Sequence, residues 1–374
     1  MLINESLLKY DEKAVFALRE LYSKYGFTQY KMSKFEEYDL YVKNKDFLVS
    51  DNVITFNDTN GKLMALKPDV TLSIIKNTKD IKGFVQKFYY NENVYRVSQR
   101  TKNFKEIMQI GLECIGDIDD YCIAEVLALA ARSLNTFGSD VVLDISHLGI
   151  ISELFDYAGV PEESRDSVMK LIGEKNTHEI DNLLLSIGID NEKIDEVNKI
   201  VSIYGEPESV IKQMKETMAF AKKSKYIESF ERIINAVNLA GLGNILRIDF
   251  SVTGDVTYYN GIVFRGFISG IPSSVLSGGQ YDKLLKKMQK RSGAIGFAVY
   301  LDMLERYLGT KKEWDIDTVI LYDESTSLEL LNDTVENYAK KGSVCVQRCI
   351  PEKFAYKTLV KISNGEVNVL ENDA

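Results

Sequence analysis

Glu106-Ile107-Met108-Gln109-Ile110-Gly111-Leu112-Glu113-Cys114-Ile115-Gly116 is the stretch on which the fold turns. Side chains alternate along an extended strand. One face therefore carries Met108, Ile110, Leu112 and Cys114, and the other Gln109, Gly111 and Glu113. The first face belongs on a core. The second sets an amide and a carboxylate on either side of a glycine that leaves the backbone open to close approach. Such a floor suits a small polar ligand with an amine or imidazole. A solvated strand face would carry the same residues, and from these residues alone it is the commoner outcome.

Working outward, a neighbouring strand is predicted from Phe84 to Tyr90, and Arg96 lies at the end of that preceding strand, beside the polar loop Ser98 to Lys105. An arginine there suits a carboxylate or phosphate, although an exposed loop charge is the plainer alternative. Lys67-Pro68-Asp69-Val70-Thr71 is a helix-start pattern in which Asp69 and Thr71 are ordinary capping types. Tyr258-Tyr259-Asn260-Gly261 is expected to open a strand over Val256 to Phe267; with 21 tyrosines in the chain, paired tyrosines are more often core. His147 ends a strand with no serine or cysteine nucleophile in view, so a packed, hydrogen-bonded histidine is expected.

Further out, Ala14, Leu18, Leu21 and Tyr25 recur at helical spacing before Gly26. Asp119 or Asp120 caps a helix striped by Ile123, Val126, Leu127, Ala130 and Leu134. From about Ser152 to Leu239 the chain reads as short helices punctuated by glycines, a helical insertion between two parts of one sheet. Strands resume over Asn244 to Ser251 and Ser274 to Tyr281, and a closing helix is expected from Phe297 to Leu308. Beyond Trp314 a small α/β unit follows, with strands at Thr318 to Tyr322 and Val344 to Arg348 around a helix from Leu328 to Lys340. Hairpin-linked strands with flanking helices make an α+β fold on a mixed or antiparallel sheet. The expected organisation is a core over residues 1–310, with the insertion at about 152–239, and a C-terminal unit over 315–374.

The chain has 374 residues, a net charge of −9 from 46 basic and 55 acidic side chains, and 27% charged residues. That composition fits a globular protein with a sizeable core and argues against one held on nucleic acid by charge alone. No stretch is long and apolar enough to span a bilayer, and Met1 to Lys13 has no signal-peptide pattern. Four cysteines fit a reducing cytosol. With only His147 and His178 as histidines, a zinc site is not expected, and neither GxGxxG nor GxxxxGK[ST] occurs, so no metal and no cofactor is predicted.

Taken in order, five segments resemble the histidyl-tRNA synthetase family, a class II synthetase family. Lys67-Pro68-Asp69-Val70-Thr71 resembles its Arg-Pro-Glu-x-Thr segment. Val94-Tyr95-Arg96 with Gln109-Ile110-Gly111-Leu112-Glu113 resembles motif 2. Tyr258-Tyr259-Asn260-Gly261-Ile262-Val263-Phe264 resembles the histidine-specific motif, Gly278-Gly279-Gln280-Tyr281-Asp282 the Gly-Gly-Arg-Tyr-Asp segment, and Gly296-Phe297-Ala298 the start of motif 3.

The departures fall on activation. Met303 stands where the motif 3 arginine would grip ATP, with Arg306 one turn away; Gly254 stands where an arginine supports the activated carboxylate; Gln280 replaces another arginine; the motif 2 loop is short, with Ser98 in an acidic position. Losing one preorganised transition-state donor costs about 3–4 kcal/mol, so losing two argues against useful adenylate formation. The pocket residues remain. By this resemblance Glu113 and Tyr259, beside Tyr258, hold an imidazole, Asp69, Thr71 and Gln109 take an α-amino group, and Arg96 is available to a carboxylate or other anion.

This pattern resembles the regulatory subunits of ATP phosphoribosyltransferase, which are synthetase paralogues. The resemblance implies a non-catalytic, cytoplasmic subunit with a homodimeric core inside a hetero-oligomer. It would activate the short-form catalytic subunit at the first step of histidine biosynthesis and carry feedback inhibition by L-histidine, without tRNA or membrane. A divergent synthetase, or a synthetase-like histidine sensor, is the alternative.

Overall fold

The computed structural model describes residues 8–45, 53–97, 103–254, 258–308, 314–350 and 355–372. The chain divides into a unit over Met1–Gly309 and a second over Thr310–Ala374.

The first unit begins with α1 (Tyr10–Lys24), β1 (Thr28–Gln29), β2 (Phe35–Glu37), α2 (Tyr38–Val42), β3 (Thr55–Asn57), β4 (Leu63–Leu66) and α3 (Thr71–Asn77). The long hairpin β5 (Val85–Val97) and β6 (Phe104–Gly116) follows, then α4 (Asp120–Asn135) and β7 (Val141–His147). The helical stretch comprises α5 (Leu148–Ala158), α6 (Glu162–Gly173), α7 (Thr177–Ser186), α8 (Asn191–Ser202), β8 (Tyr204–Gly205), α9 (Pro207–Thr217) and α10 (Lys225–Leu239). The unit closes with β9 (Leu246–Asp249), β10 (Ile262–Ile268), β11 (Leu276–Gln280), α11 (Asp282–Lys287), β12 (Gly293–Tyr300) and α12 (Leu301–Leu308).

Nine strands form one sheet in the order β1-β5-β6-β12-β11-β10-β7-β9-β8. The β1–β5 and β7–β9 pairs are parallel and the rest antiparallel. The apolar face of β6 does pack on the core: Ile110, Leu112 and Cys114 are fully buried in the cluster that joins the sheet to α1 and α4. α1 docks through Ala14, Val15, Leu18 and Tyr22, and the Tyr22 hydroxyl meets Ser133 Oγ of α4 at 3.0 Å. A second apolar cluster, with Tyr41, Val70, Ile74, Tyr90, Ile115, Tyr281 and Leu284, lies on the opposite face and frames the site.

Three expectations shift. The closing helix begins at Leu301, not Phe297, because Gly293–Tyr300 is a central strand between β6 and β11. A strand enclosed between neighbours and buried along most of its length shows no apolar/polar alternation, and its run therefore reads as helix. Tyr258-Tyr259-Asn260-Gly261 precedes its strand instead of opening it; Val256 lies outside the described residues. The helical stretch starts at Leu148, and it is tied into the unit: β8 pairs with β9, and α10 bonds α4 through Ser229 and Arg232 to Asp120. His147 caps that stretch, its Nδ1 accepting from the Gly149 N–H at 3.0 Å.

The second unit holds β13 (Ile316–Leu321), α13 (Leu328–Ala339), β14 (Val344–Gln347), β15 (Tyr356–Ser363) and β16 (Glu366–Asn372). Its sheet runs β14-β13-β15-β16, and Ile320, Val360 and Ile362 form its core against α13.

Candidate functional site

Strand register assembles the site. Glu113 of β6 lies beside Gly296 of β12, Gly111 beside Ala298, and Gln109 beside Tyr300. Residues paired across strands share a face, so three rows of one face meet here. Two positions, Gly296 of β12 and Gly111 of β6, are glycine for a reason. A Cβ on Gly296 would lie 1.8 Å from Glu113 Oε2, and one on Gly111 would lie 2.3 Å from the Phe297 carbonyl oxygen and 2.6 Å from the Tyr90 hydroxyl. The bare backbone is thus what lets the carboxylate lie down on the sheet.

The resulting cavity, of about 110 Å³, is lined by Asp69, Thr71, Arg96, Gln109, Glu113, Tyr258 and Tyr259. All seven site residues expected from the sequence come together here. Gln109 and Glu113 are buried, only 4% and 3% exposed, and are not a solvated strand face. Tyr90, Ser277, Tyr281 and Tyr300 also line it. Sequence reasoning missed Tyr90, Ser277 and Tyr300 because cross-strand register, not a local pattern, brings them in; Tyr281 stood in a quoted motif but was given no place in the site.

Glu113 is held from two sides. Thr71 Oγ1 donates to its Oε1 at 2.8 Å, and the Tyr281 hydroxyl donates to its Oε2. Burial nevertheless dominates and pushes its carboxyl up to about 7, with the nearby Asp69 adding to the rise. Asp69 is also raised by burial, partly offset by backbone N–H groups of Leu72 and Thr71 and by the charge of Arg96. The Leu72 N–H donates to Asp69 Oδ1 at 3.1 Å, so Asp69 tethers the first turn of α3 while facing the cavity. Arg96 lies on β5, not in a loop, and its Nε donates to the Pro68 carbonyl at 2.9 Å. Tyr258 packs on Tyr259 and Tyr281, with ring centroids 4.8 and 5.4 Å apart. A buried Glu113, a half-buried Asp69 and one anchored guanidinium favour a zwitterion carrying an extra basic group.

The departures have structural counterparts. Met303 is partly buried against the core. Gly254 has φ +61°, and a Cβ there would lie 2.8 Å from Cδ2 of the Tyr259 ring, so the backbone fits only a residue without a side chain. Gln280 turns away from the cavity, its Oε1 accepting from the Ile262 N–H at 3.0 Å. Ser98 and the side chain of Arg306 lie outside the described residues.

Against known proteins, the family model for histidyl-tRNA synthetase matches residues 4–304. The chain belongs to the histidyl-tRNA synthetase family. Within this family it is similar to the ATP phosphoribosyltransferase regulatory subunit of Oceanobacillus iheyensis, at 27% identity over 283 residues, covering 75% of this chain and 69% of that protein. Other curated relatives of the same description are 25% and 29% identical. A solved ATP phosphoribosyltransferase regulatory subunit/histidyl-tRNA synthetase from Bacillus halodurans shares the fold, with a TM-score of 0.75 at 22% identity over 94% of this chain and 93% of that one. A chain of the ATP phosphoribosyl transferase (HisG:HisZ) complex of Thermotoga maritima does too, with a TM-score of 0.62 at 21% identity over 78% of this chain and 97% of that one.

Proposed function

We propose that this chain is a regulatory subunit of ATP phosphoribosyltransferase, a family member that keeps an amino-acid pocket and does not activate the amino acid. It works in the cytoplasm with the short-form catalytic subunit as partner, as a homodimeric core in a hetero-oligomer, and L-histidine is its effector. One observation carries this: the carboxylate and hydroxyl network around Glu113 is intact while Met303, Gly254 and Gln280 occupy positions the family uses to handle the activated intermediate. The names of the curated relatives and the partnered complex with this fold support it.

Glu113 and Tyr259 would take the imidazole, Asp69 and Gln109 the α-ammonium, and Arg96 the carboxylate, with Thr71 and Tyr281 positioning Glu113. Histidine regulates through this pocket only if it binds one state of the assembly better than another.

The test is phosphoribosyl transfer to ATP by the purified short-form catalytic subunit, with and without this chain, across a histidine titration. Stimulation by the chain, reversed by histidine, is expected. Glu113→Ala should weaken calorimetric histidine binding by roughly tenfold to a hundredfold, the range for losing a charged hydrogen-bond partner. A catalytic subunit indifferent to the chain, or histidine-dependent exchange of pyrophosphate into ATP by the chain alone, would overturn the assignment in favour of a sensor or a working synthetase.

A further inference from the structure

The small residues that open the floor stop abruptly at one end. On the site face of β12 the series runs Gly296, Ala298, Tyr300. The first has no side chain and the second only a methyl; the third carries the largest side chain of the three, and it lines the cavity. Its position is fixed by a second strand. Ser277 of β11 pairs with Ala298, one step back along the same face, and the Tyr300 hydroxyl meets Ser277 Oγ at 2.7 Å. That bond ties the phenol of β12 to β11, diagonally past the Ala298–Ser277 pair. The Tyr300 N–H is also committed, donating to the Val275 carbonyl at 2.9 Å.

The direction of this wall matters. Glu113 sits at the Gly296 end, and Gln109 pairs with Tyr300 at the other. Arg96, which would meet a carboxylate, lies toward the open end of the β5–β6 hairpin, beyond Gln109 in register. A ligand whose basic side chain rests on Glu113 thus turns its carboxylate toward the Tyr300 end.

We propose that Tyr300, pinned by Ser277, is a specificity wall that admits a free amino acid and rejects the same amino acid extended at its carboxylate by a nucleotide. This rests on the amino-acid reading of the pocket. Discrimination by obstruction needs no new attractive contact: it comes from the clash imposed on the larger competitor.

The probes are L-histidine and the non-hydrolysable adenylate analogue histidyl-sulfamoyl-adenosine, titrated calorimetrically into the full chain. The readout is the ratio of their dissociation constants. In the wild type the analogue should bind weaker than histidine by about a hundredfold or more, and Tyr300→Gly should shrink that ratio by at least about tenfold. Tyr300→Phe keeps the ring but loses the bond to Ser277 Oγ, and should shrink the ratio by less than Tyr300→Gly. Ser277→Ala unpins the ring without removing it and should shrink the ratio to a smaller extent, which supplies a second variant should Tyr300→Gly not fold. A wild-type chain that binds the analogue as tightly as histidine overturns the wall outright. So does an unchanged ratio in folded Tyr300→Gly or Ser277→Ala. A wild type that binds no histidine overturns the amino-acid reading itself, and the wall falls with it.

Discussion

Glu113 shows how a residue acquires chemistry from its surroundings. Period-two reading placed it beside Gln109 on one strand face, but its burial comes from β12, α3 and the tyrosines packed around it. Its raised carboxyl has a thermodynamic consequence whose sign is fixed. The folded chain holds the proton up to about pH 7, whereas an unfolded glutamate releases it near pH 4.3. The group's contribution to stability is therefore full below the unfolded value and is lost as the pH climbs to about 7. Asp69 acts in the same direction. Melting temperatures of the wild type and Glu113→Gln should diverge between roughly pH 4.5 and 7, the wild type losing stability faster, and run parallel above that. Parallel curves throughout would mean Glu113 titrates normally. Tyr281 could not have been assigned from sequence in the same way. As part of a Gly-Gly-Gln-Tyr-Asp run it signals a motif, but only the turn from β11 into α11 brings its hydroxyl to Glu113.

At the level of elements, the β6–β12 pair is the site's foundation. β6 was legible because it is amphipathic. β12 was not, because a central strand buried along most of its length loses alternation and its Gly-Phe-Ala run continues into α12 without a break. The glycine at 296 is a steric requirement of the neighbouring strand. Gly296→Ala would drive a methyl against the Glu113 carboxylate. The expected result is a folded chain destabilised by about 1–3 kcal/mol, with histidine binding lost, measured by denaturant melts and calorimetry on one preparation. Undiminished binding would show that Glu113 need not lie on the sheet. The helical stretch was legible as helices but not in its attachment: a two-residue strand such as β8 carries no periodicity, and its pairing with β9 depends wholly on tertiary context.

Across the whole molecule, fold and family were readable from five ordered segments, none of which suffices singly. The change of element type near Trp314 led to an expected C-terminal unit over 315–374; the chain divides into compact units over Met1–Gly309 and Thr310–Ala374. Each unit has apolar clustering of its own among the described residues. A fragment of residues 1–309 should therefore fold cooperatively and bind histidine within a few-fold of the full chain. Circular dichroism melts and calorimetry would check this, and an unfolded fragment would show that the first unit depends on the second.

The left-handed backbone at Gly254 has an evolutionary consequence. Restoring an arginine there by mutation would force a side chain into a conformation that disfavours it, against the ring of Tyr259. Any side chain at this position would press on a ring that lines the cavity, so a single substitution here would disturb the pocket before it could add a contact. On the proposed reading, this one position is closed to change in a single step.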